Sequence, residues 1–335
     1  MLFPGGRAVP ITLKELAERT GLSRQAVGFI LRGEGHFKDE TRERVLKTAA
    51  DLGYRPNAAA RAMSSGRFNA IGLVLSTLGW KSNLPAALLE GIRNALLECD
   101  LHLSLSWFRD ERLAEAGQMP KILRELAADG LLIKYDSSVP GPIVEALTRS
   151  GVPAVWVNSK RRHDAVYPDD FQGAREATAR LIAAGRRRIA FADYNPRAPE
   201  DHYSSTDRQG GYAKALEEAG LKPLVVTPGQ GLPLAQRPAH IREWLGQRPP
   251  PEAVVCYGDG EAWPIFHEAL RRGMKVPDDL RIAFFGEGAS PATAPELETI
   301  PLPNVEVGRR AVEMLLAKIR SPRTKRPALA VKYGP

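Results

Sequence analysis

From Ala70 onward the chain repeats one pattern, a short and mostly apolar run of strand type followed by a longer segment with helical spacing. Ala70–Leu75, Leu101–Leu105, Gly130–Ile133 and Val152–Val157 are the first such runs, separated by the helical stretches Leu84–Leu97, Leu113–Ala128 and Val139–Ser150. Runs without in-out alternation bury both strand faces, and parallel strands covered by crossover helices on both sides achieve that. A second round follows Asp169: helix Gly173–Ala184, strand Arg188–Ala192, helix Arg208–Ala219, strand Leu224–Thr227, helix Pro238–Gly246, strand Ala253–Cys256, helix Pro264–Arg272 and strand Ile282–Phe285. The reading is α/β, with two similar lobes facing each other and ligands placed where strand C-terminal ends meet in the cleft.

The first 68 residues are different in kind. They hold 12 Lys/Arg against 7 Asp/Glu, net +5 of the chain's +8, which suits a polyanionic partner as well as it suits plain solubility. Thr12-Leu-Lys-Glu15 fits a capping box that opens a helix through Arg19, and Gly21 ends it. Ser23 caps a second helix, Arg24–Leu31, with Val27, Ile30 and Leu31 inward and Arg24, Gln25, Gly28 and Phe29 outward. A third helix, Asp39–Leu52, turns Val45, Leu46, Ala49 and Leu52 inward and stops at Gly53. This is a helix-turn-helix, whose second helix fits a major groove about 12 Å wide. Arg24 can meet guanine bidentately, Gln25 adenine, and Phe29 a thymine methyl. The bland alternative is a small helical bundle with a solvated face.

Pro56 forbids helix before it, Asn57 can cap, and Ala58–Met63 has alanine-rich helical composition with Ser64-Ser-Gly66 closing the segment. Two turns are too few to stand alone in water, so this is a conditional helix or a flexible linker.

Other chemistries find little support. The six histidines, His36, His102, His163, His202, His240 and His267, form no i, i+4 pair and have no Cys neighbour. Phosphate-loop and nucleophile-elbow spacings are absent, so no catalytic group, cofactor or metal is expected. Cys99 and Cys256 do not suggest a disulfide framework, and no stretch reaches the roughly 18 apolar residues of a membrane span. The expectation is a cytoplasmic, non-enzymatic protein.

Ile11–Val27, Thr41-Arg-Glu-Arg-Val45 and Leu52-Gly-Tyr-Arg-Pro-Asn57 resemble the headpiece of the lactose-repressor/galactose-repressor (LacI/GalR) transcription factors. Asp169–Gly173, Gly185–Ala190, Arg208–Tyr212, Glu217–Gly220, Val276–Asp279 and Leu297–Pro301 look like landmarks of that family's lobes, which are periplasmic-binding-protein-like, type I. The resemblance implies a homodimeric repressor that reads a pseudopalindromic operator in double-stranded DNA. Paired hinge helices would enter the minor groove, and Met63 stands where a leucine wedge is usual. A carbohydrate-like small-molecule effector in the cleft would shift DNA affinity.

The implied DNA contacts are Thr12, Ser23, Arg24, Gln25, Phe29, Arg32, Asn57, Ala60 and Met63. The family's Thr-Val-Ser-Arg is Ala26-Val27-Gly28-Phe29 here, so the operator is expected to differ at the base pair facing Phe29.

By position after the strands, the effector candidates are Thr77, Trp80, Trp107, Lys134, Tyr135, Asn158, Asp169, Tyr194, Arg208, Tyr257, Asp259 and Glu287. A tryptophan here is more often core, and Asp169 serves equally as a helix cap. Arg208 stands where a helix start disfavours a cation, and the family's effector-binding arginine falls there. With Lys134 it leaves room for an acidic or phosphorylated sugar.

The expected division is 1–55 headpiece, 56–68 hinge, 69–168 with 302–320 as first lobe, and 169–301 with 321–335 as second. A solute-binding protein, or an α/β enzyme with a helical accessory domain, is the alternative.

Overall fold

A computed structural model describes residues 11–55, 66–78, 82–108, 128–136, 139–195, 202–226, 231–287 and 296–334. The chain divides into two compact units, Met1–Phe68 and Asn69–Pro335.

In the first unit, α1 (Leu13–Thr20), α2 (Arg24–Leu31) and α3 (Asp39–Asp51) close on Leu16, Ala17, Val27, Ile30, Val45 and Ala49. The capping box is present, with Thr12 Oγ1 accepting from the Glu15 N–H at 3.2 Å and the Glu15 carboxylate accepting from the Thr12 N–H at 2.7 Å. Gly21 ends α1 in the left-handed region, φ 69°, which costs glycine nothing. Two inward-outward assignments change. Gly28 is buried rather than outward, and Leu46 is 45% exposed rather than inward, because α3 turns only Val45 and Ala49 fully into so small a core. The expected Ala58–Met63 helix lies outside the described residues.

The second unit contains two parallel sheets. The first runs β11 (Leu329–Val331), β5 (Ala165–Pro168), β4 (Ala154–Val157), β3 (Gly130–Lys134), β1 (Ala70–Ser76), β2 (His102–Phe108). On one face lie α4 (Ala86–Leu97) and α10 (Asn304–Arg320), and on the other α5 (Gly141–Ser150). The second sheet runs β10 (Leu297–Pro301), β9 (Arg281–Gly286), β8 (Ala253–Cys256), β6 (Ile189–Ala192), β7 (Leu224–Val225). Its faces are covered by α6 (Asp170–Ala183) with α7 (Tyr203–Glu218), and by α8 (Arg237–Leu245) with α9 (Asp259–Arg271). Among the described residues every strand pair is parallel, as the unbroken apolar runs require.

Three expectations need correction. The strand near residue 330 belongs to the first lobe, because Leu329–Val331 pairs with β5 and Val331 O accepts the Asp169 N–H at 2.8 Å. The chain crosses to the second lobe only afterwards, where Tyr333 lies edge-on to Phe285 at 5.7 Å. The helix expected from Arg208 starts at Tyr203, and the one expected from Pro264 starts at Asp259. The short strands β5 and β10 were not anticipated as strands, and residues 113–127 of one expected helix lie outside the described residues.

Candidate functional site

At the C-terminal ends of the strands, side chains from both lobes meet in one hydrogen-bonded cluster. Asn158, just past β4, is its hub, at φ 55°, a conformation asparagine tolerates better than most residues. Its Nδ2 donates to Asp136 Oδ1 at 3.1 Å, its Oδ1 accepts from the Tyr203 hydroxyl at 3.1 Å, and its carbonyl contacts His202 Nε2 at 2.8 Å. Lys134, 1% exposed at the end of β3, pairs with Asp136. On the second lobe, His202 Nδ1 contacts Ser204 Oγ at 2.7 Å, and Ser204 bonds the Tyr257 hydroxyl at 2.8 Å. Lys160 reaches across to Asp207 at 2.7 Å.

Arg208 is the second lobe's buried cation. Its Nε donates to Asp170 Oδ1 and its Nη1 to the Tyr257 carbonyl, both at 2.7 Å. The guanidinium lies over the rings of Phe285, at 4.2 Å, and Tyr257, at 4.6 Å. Asp170 is 1% exposed, also accepts from the Tyr333 hydroxyl at 2.7 Å, and has its other oxygen buried without a partner. Arg208 sits in the second turn of α7, so the helix-start argument does not explain it; Asp170 does.

Burial and neighbours set the protonation states. Burial pulls the Lys134 ammonium below its ordinary pKa, against the attraction of Asp136. Burial likewise lowers His202, so it is neutral at neutral pH, although Asp136 opposes the shift. Burial pushes Tyr203 and Tyr257 up. Burial also opposes the charge on Arg208, but Asp170 outweighs it and the net shift is upward.

Below this cluster, Glu261 in the first turn of α9 is 3% exposed and faces the Tyr194 N–H at 3.3 Å, Arg237 Nη1 at 3.8 Å and buried Asp193. Burial first, then Asp193, raises its pKa from 4.5 to about 7. The raised folded-state value means that folding favours the protonated acid. This contribution is complete below pH 4.5 and is lost as pH rises through 7. Thermal unfolding of Glu261→Gln is expected to fall less between pH 5 and 8 than that of the parent chain; an identical decline would contradict the assignment.

Of the sequence candidates, Asn158, Arg208 and Tyr257 come together, with Lys134 beside them. Others do not. Tyr135 and Tyr194 are buried in apolar clusters, and Tyr194 accepts from Trp244 Nε1 at 3.0 Å. Trp107 is 57% exposed within edge strand β2. Thr77 is exposed past β1, and Asp259 is exposed at the start of α9. Asp169 caps α6 through the Gln172 N–H, the bland reading. Glu287 accepts from Asn304 Nδ2 at 3.0 Å, where the chain passes from second to first lobe. Trp80 lies outside the described residues, as do Asn57, Ala60 and Met63. Sequence reasoning missed Asp136, Asp170, His202, Tyr203 and Ser204.

On the headpiece, Arg24 and Gln25 are exposed at the start of α2. Phe29 is half-buried, with the Arg32 guanidinium 5.1 Å from its ring centre and Arg32 Nε bonded to Glu34 at 2.8 Å. The Thr12 and Ser23 hydroxyls both serve as helix caps. Among the described residues, no helix is long and apolar enough to cross a membrane, and no group of three or more His, Cys, Asp or Glu could hold a metal ion.

A capped helix-turn-helix followed by two parallel-sheet lobes is the build of a DNA-binding transcriptional regulator. Residues 12–57 match the family described as bacterial regulatory proteins, lacI family, and residues 178–333 match a periplasmic binding protein-like domain. The chain therefore carries the DNA-binding domain of the lacI family ahead of a periplasmic-binding-protein-like domain. It is 29% identical over 319 residues to the HTH-type transcriptional regulator GntR of Escherichia coli (strain K12), covering 92% of each chain. Its fold resembles that of the lac repressor dimer solved with operator and the anti-inducer ONPF, with TM-score 0.76, 20% identity and 96% of each chain covered. It is also similar to the transcriptional regulator CelR in its cellobiose complex, with TM-score 0.61, 25% identity, and 97% of this chain and 98% of that one covered.

Proposed function

We propose that this regulator is a repressor that binds a pseudopalindromic operator as a homodimer, and that a sugar or sugar derivative in the interlobe cleft shifts its operator affinity through residues 56–68. The observation that carries the effector reading is the cluster joining Asp136 and Asn158 of the first lobe to His202, Tyr203 and Tyr257 of the second. A polyhydroxylated ligand can replace several of these bonds in both lobes at once, and so favours one lobe arrangement over another. Lys134 and Arg208 already hold Asp136 and Asp170, which favours ligand hydroxyls over a net anion. The regulator solved with cellobiose is in keeping with this.

Base reading is assigned to Arg24, Gln25 and Phe29, with Thr12, Ser23 and Arg32 beside them and Asn57, Ala60 and Met63 in the hinge. The proposed division is 1–55, 56–68, a first lobe of 69–168 with 302–331, and a second of 169–301 with the tail from residue 332.

The test begins by selecting an operator from random duplexes with the full-length chain, then screening neutral sugars and sugar acids by thermal shift. A stabilising sugar is expected to change operator affinity at least about fivefold, the lower end of ordinary allosteric coupling. A stabilising sugar that leaves operator affinity unchanged would remove the coupling claim, and failure to select any duplex would remove the operator claim.

A further inference from the structure

A second concentration of positive charge lies on the first lobe. Arg161, Arg162 and His163 lead into β5, and the acid-free stretch Lys318–Arg326 leads into β11. The two segments are joined side by side by an antiparallel bridge between His163 and Pro327, and by the Asp164 N–H donating to the Arg326 carbonyl at 2.8 Å. Asp164 is the acid between them. It is occupied by Lys318 Nζ at 2.7 Å and the Arg326 N–H at 3.1 Å. The Arg161 guanidinium carbon lies over the Trp156 ring, 3.6 Å from its centre, and Arg326 donates to the Ala317 carbonyl at 2.8 Å. That leaves Arg162, Arg320, Arg323 and Lys325. All four are exposed, and none has a side-chain ion pair or hydrogen bond among the described residues.

The place of this patch in the fold is informative. Because the first sheet is parallel, the N-terminal ends of β5 and β11 share one end of the sheet with Ala70, where β1 begins directly after the segment leading from the headpiece. The strand C-terminal ends, with Asn158 and Asp169, point the other way into the cleft. Strand order puts β5 three and β11 four spacings from β1. That is about 14 to 19 Å at the usual 4.8 Å per strand, comparable with the width of a duplex.

We propose that this edge is a polyanion-binding surface for the phosphates of duplex DNA flanking the site that the headpiece reads. The headpiece supplies the tether. Once it holds a duplex, flanking phosphates are presented at high effective concentration to the end of the first lobe where the chain enters, and four uncompensated cations there each gain from releasing condensed counterions. A free acidic protein has no such tether.

The experiment uses the full-length chain with the combined substitutions Arg162→Gln, Arg320→Gln, Arg323→Gln and Lys325→Gln. The probes are a selected operator of roughly 20 base pairs, enough for two half-sites one turn apart, and the same operator centred in roughly 60 base pairs. Affinity is measured across salt concentrations. On the long duplex the slope of log affinity against log salt is expected to become shallower by about 1 to 7, at about 0.9 for each phosphate no longer neutralised by the eight substituted cations of a dimer, with at least a tenfold loss at low salt. On the short duplex neither quantity should change, and this arm reports headpiece binding independently of the patch. A charge-matched control on the second lobe, Arg187, Arg248, Arg271 and Lys275 to Gln, should leave both duplexes unaffected. An unchanged slope on the long duplex, an equal loss on both duplexes, or the same effect from the control would each overturn the proposal.

Discussion

Replacing Arg208 with methionine is expected to destabilise the Asn69–Pro335 unit by about 3 to 5 kcal/mol, the usual cost of stranding one member of a buried ion pair. Asp170 is 1% exposed, one of its oxygens already lacks a partner, and without the guanidinium only the Tyr333 hydroxyl would remain on the other. The Tyr257 carbonyl would lose its donor at the same time. Urea unfolding followed by a probe in the effector unit measures this. The double variant Asp170→Asn with Arg208→Met removes both charges and should recover most of the loss, since what is costly is the orphaned carboxylate rather than the absence of the pair. A single variant of near-parental stability, or a double variant no better than the single, would contradict this account. The double variant should also separate stability from ligand response: a fold that recovers while any sugar response stays lost identifies Arg208 as part of the effector site.

Alanine at Gly91 is expected to cost about 3 kcal/mol or more, lowering the thermal midpoint of the effector unit by about 6 to 12 °C. Two effects compete. A glycine within a helix is ordinarily improved by alanine, by up to about 1 kcal/mol. Here a Cβ on Gly91 of α4 would lie 2.0 Å from the Val305 carbonyl oxygen of α10, and across the same contact a Cβ on Gly308 would lie 2.4 Å from the Leu88 carbonyl. Both obstacles are backbone, which cannot rotate aside, so the two helices must separate and reopen the core between Ile92, Val307 and Ala311. Steric repulsion therefore wins over propensity. The exposed neighbour Glu90 provides the comparison: Glu90→Ala should be nearly neutral, and a Gly91→Ala variant equally neutral would show that the helices are free to part.

What was legible in the sequence follows from how local the cause is. The Thr12 capping box, the Ser23 cap and the Gly21 stop act within four residues, and all three are present. The alternation of apolar runs located most strands because burial on both faces leaves a continuous apolar signature. The misses share a different cause. Leu329–Val331 was expected in the second lobe because nothing within three residues says which sheet edge it will join; β5 decides that from more than 160 positions away. At Asp169-Asp170, two identical side chains take opposite roles, one capping α6 and the other buried against Arg208, and only the direction of the helix distinguishes them. His202 and Tyr203 were passed over because α7 starts five residues earlier than its apolar spacing indicated. Its early polar residues, Ser204, Ser205 and Asp207 among them, look like a loop when read alone and become the floor of a site once folded.

The route of the chain through the lobes also fixes an order of events during synthesis. Apart from the tail at Tyr333, the second lobe runs without interruption from Asp170 to Pro301 and holds the described strands of its own sheet. The first lobe lacks α10 and β11 until the ribosome has passed Val331, although β1 to β5 were made long before. Until then the face of β1 and α4 that α10 will cover, Leu73, Leu88 and Ile92 among them, stands open to water. The lobe translated second is thus the one able to close first, and the lobe translated first waits with its apolar surface uncovered for most of the chain's elongation, the interval in which binding by a chaperone matters most.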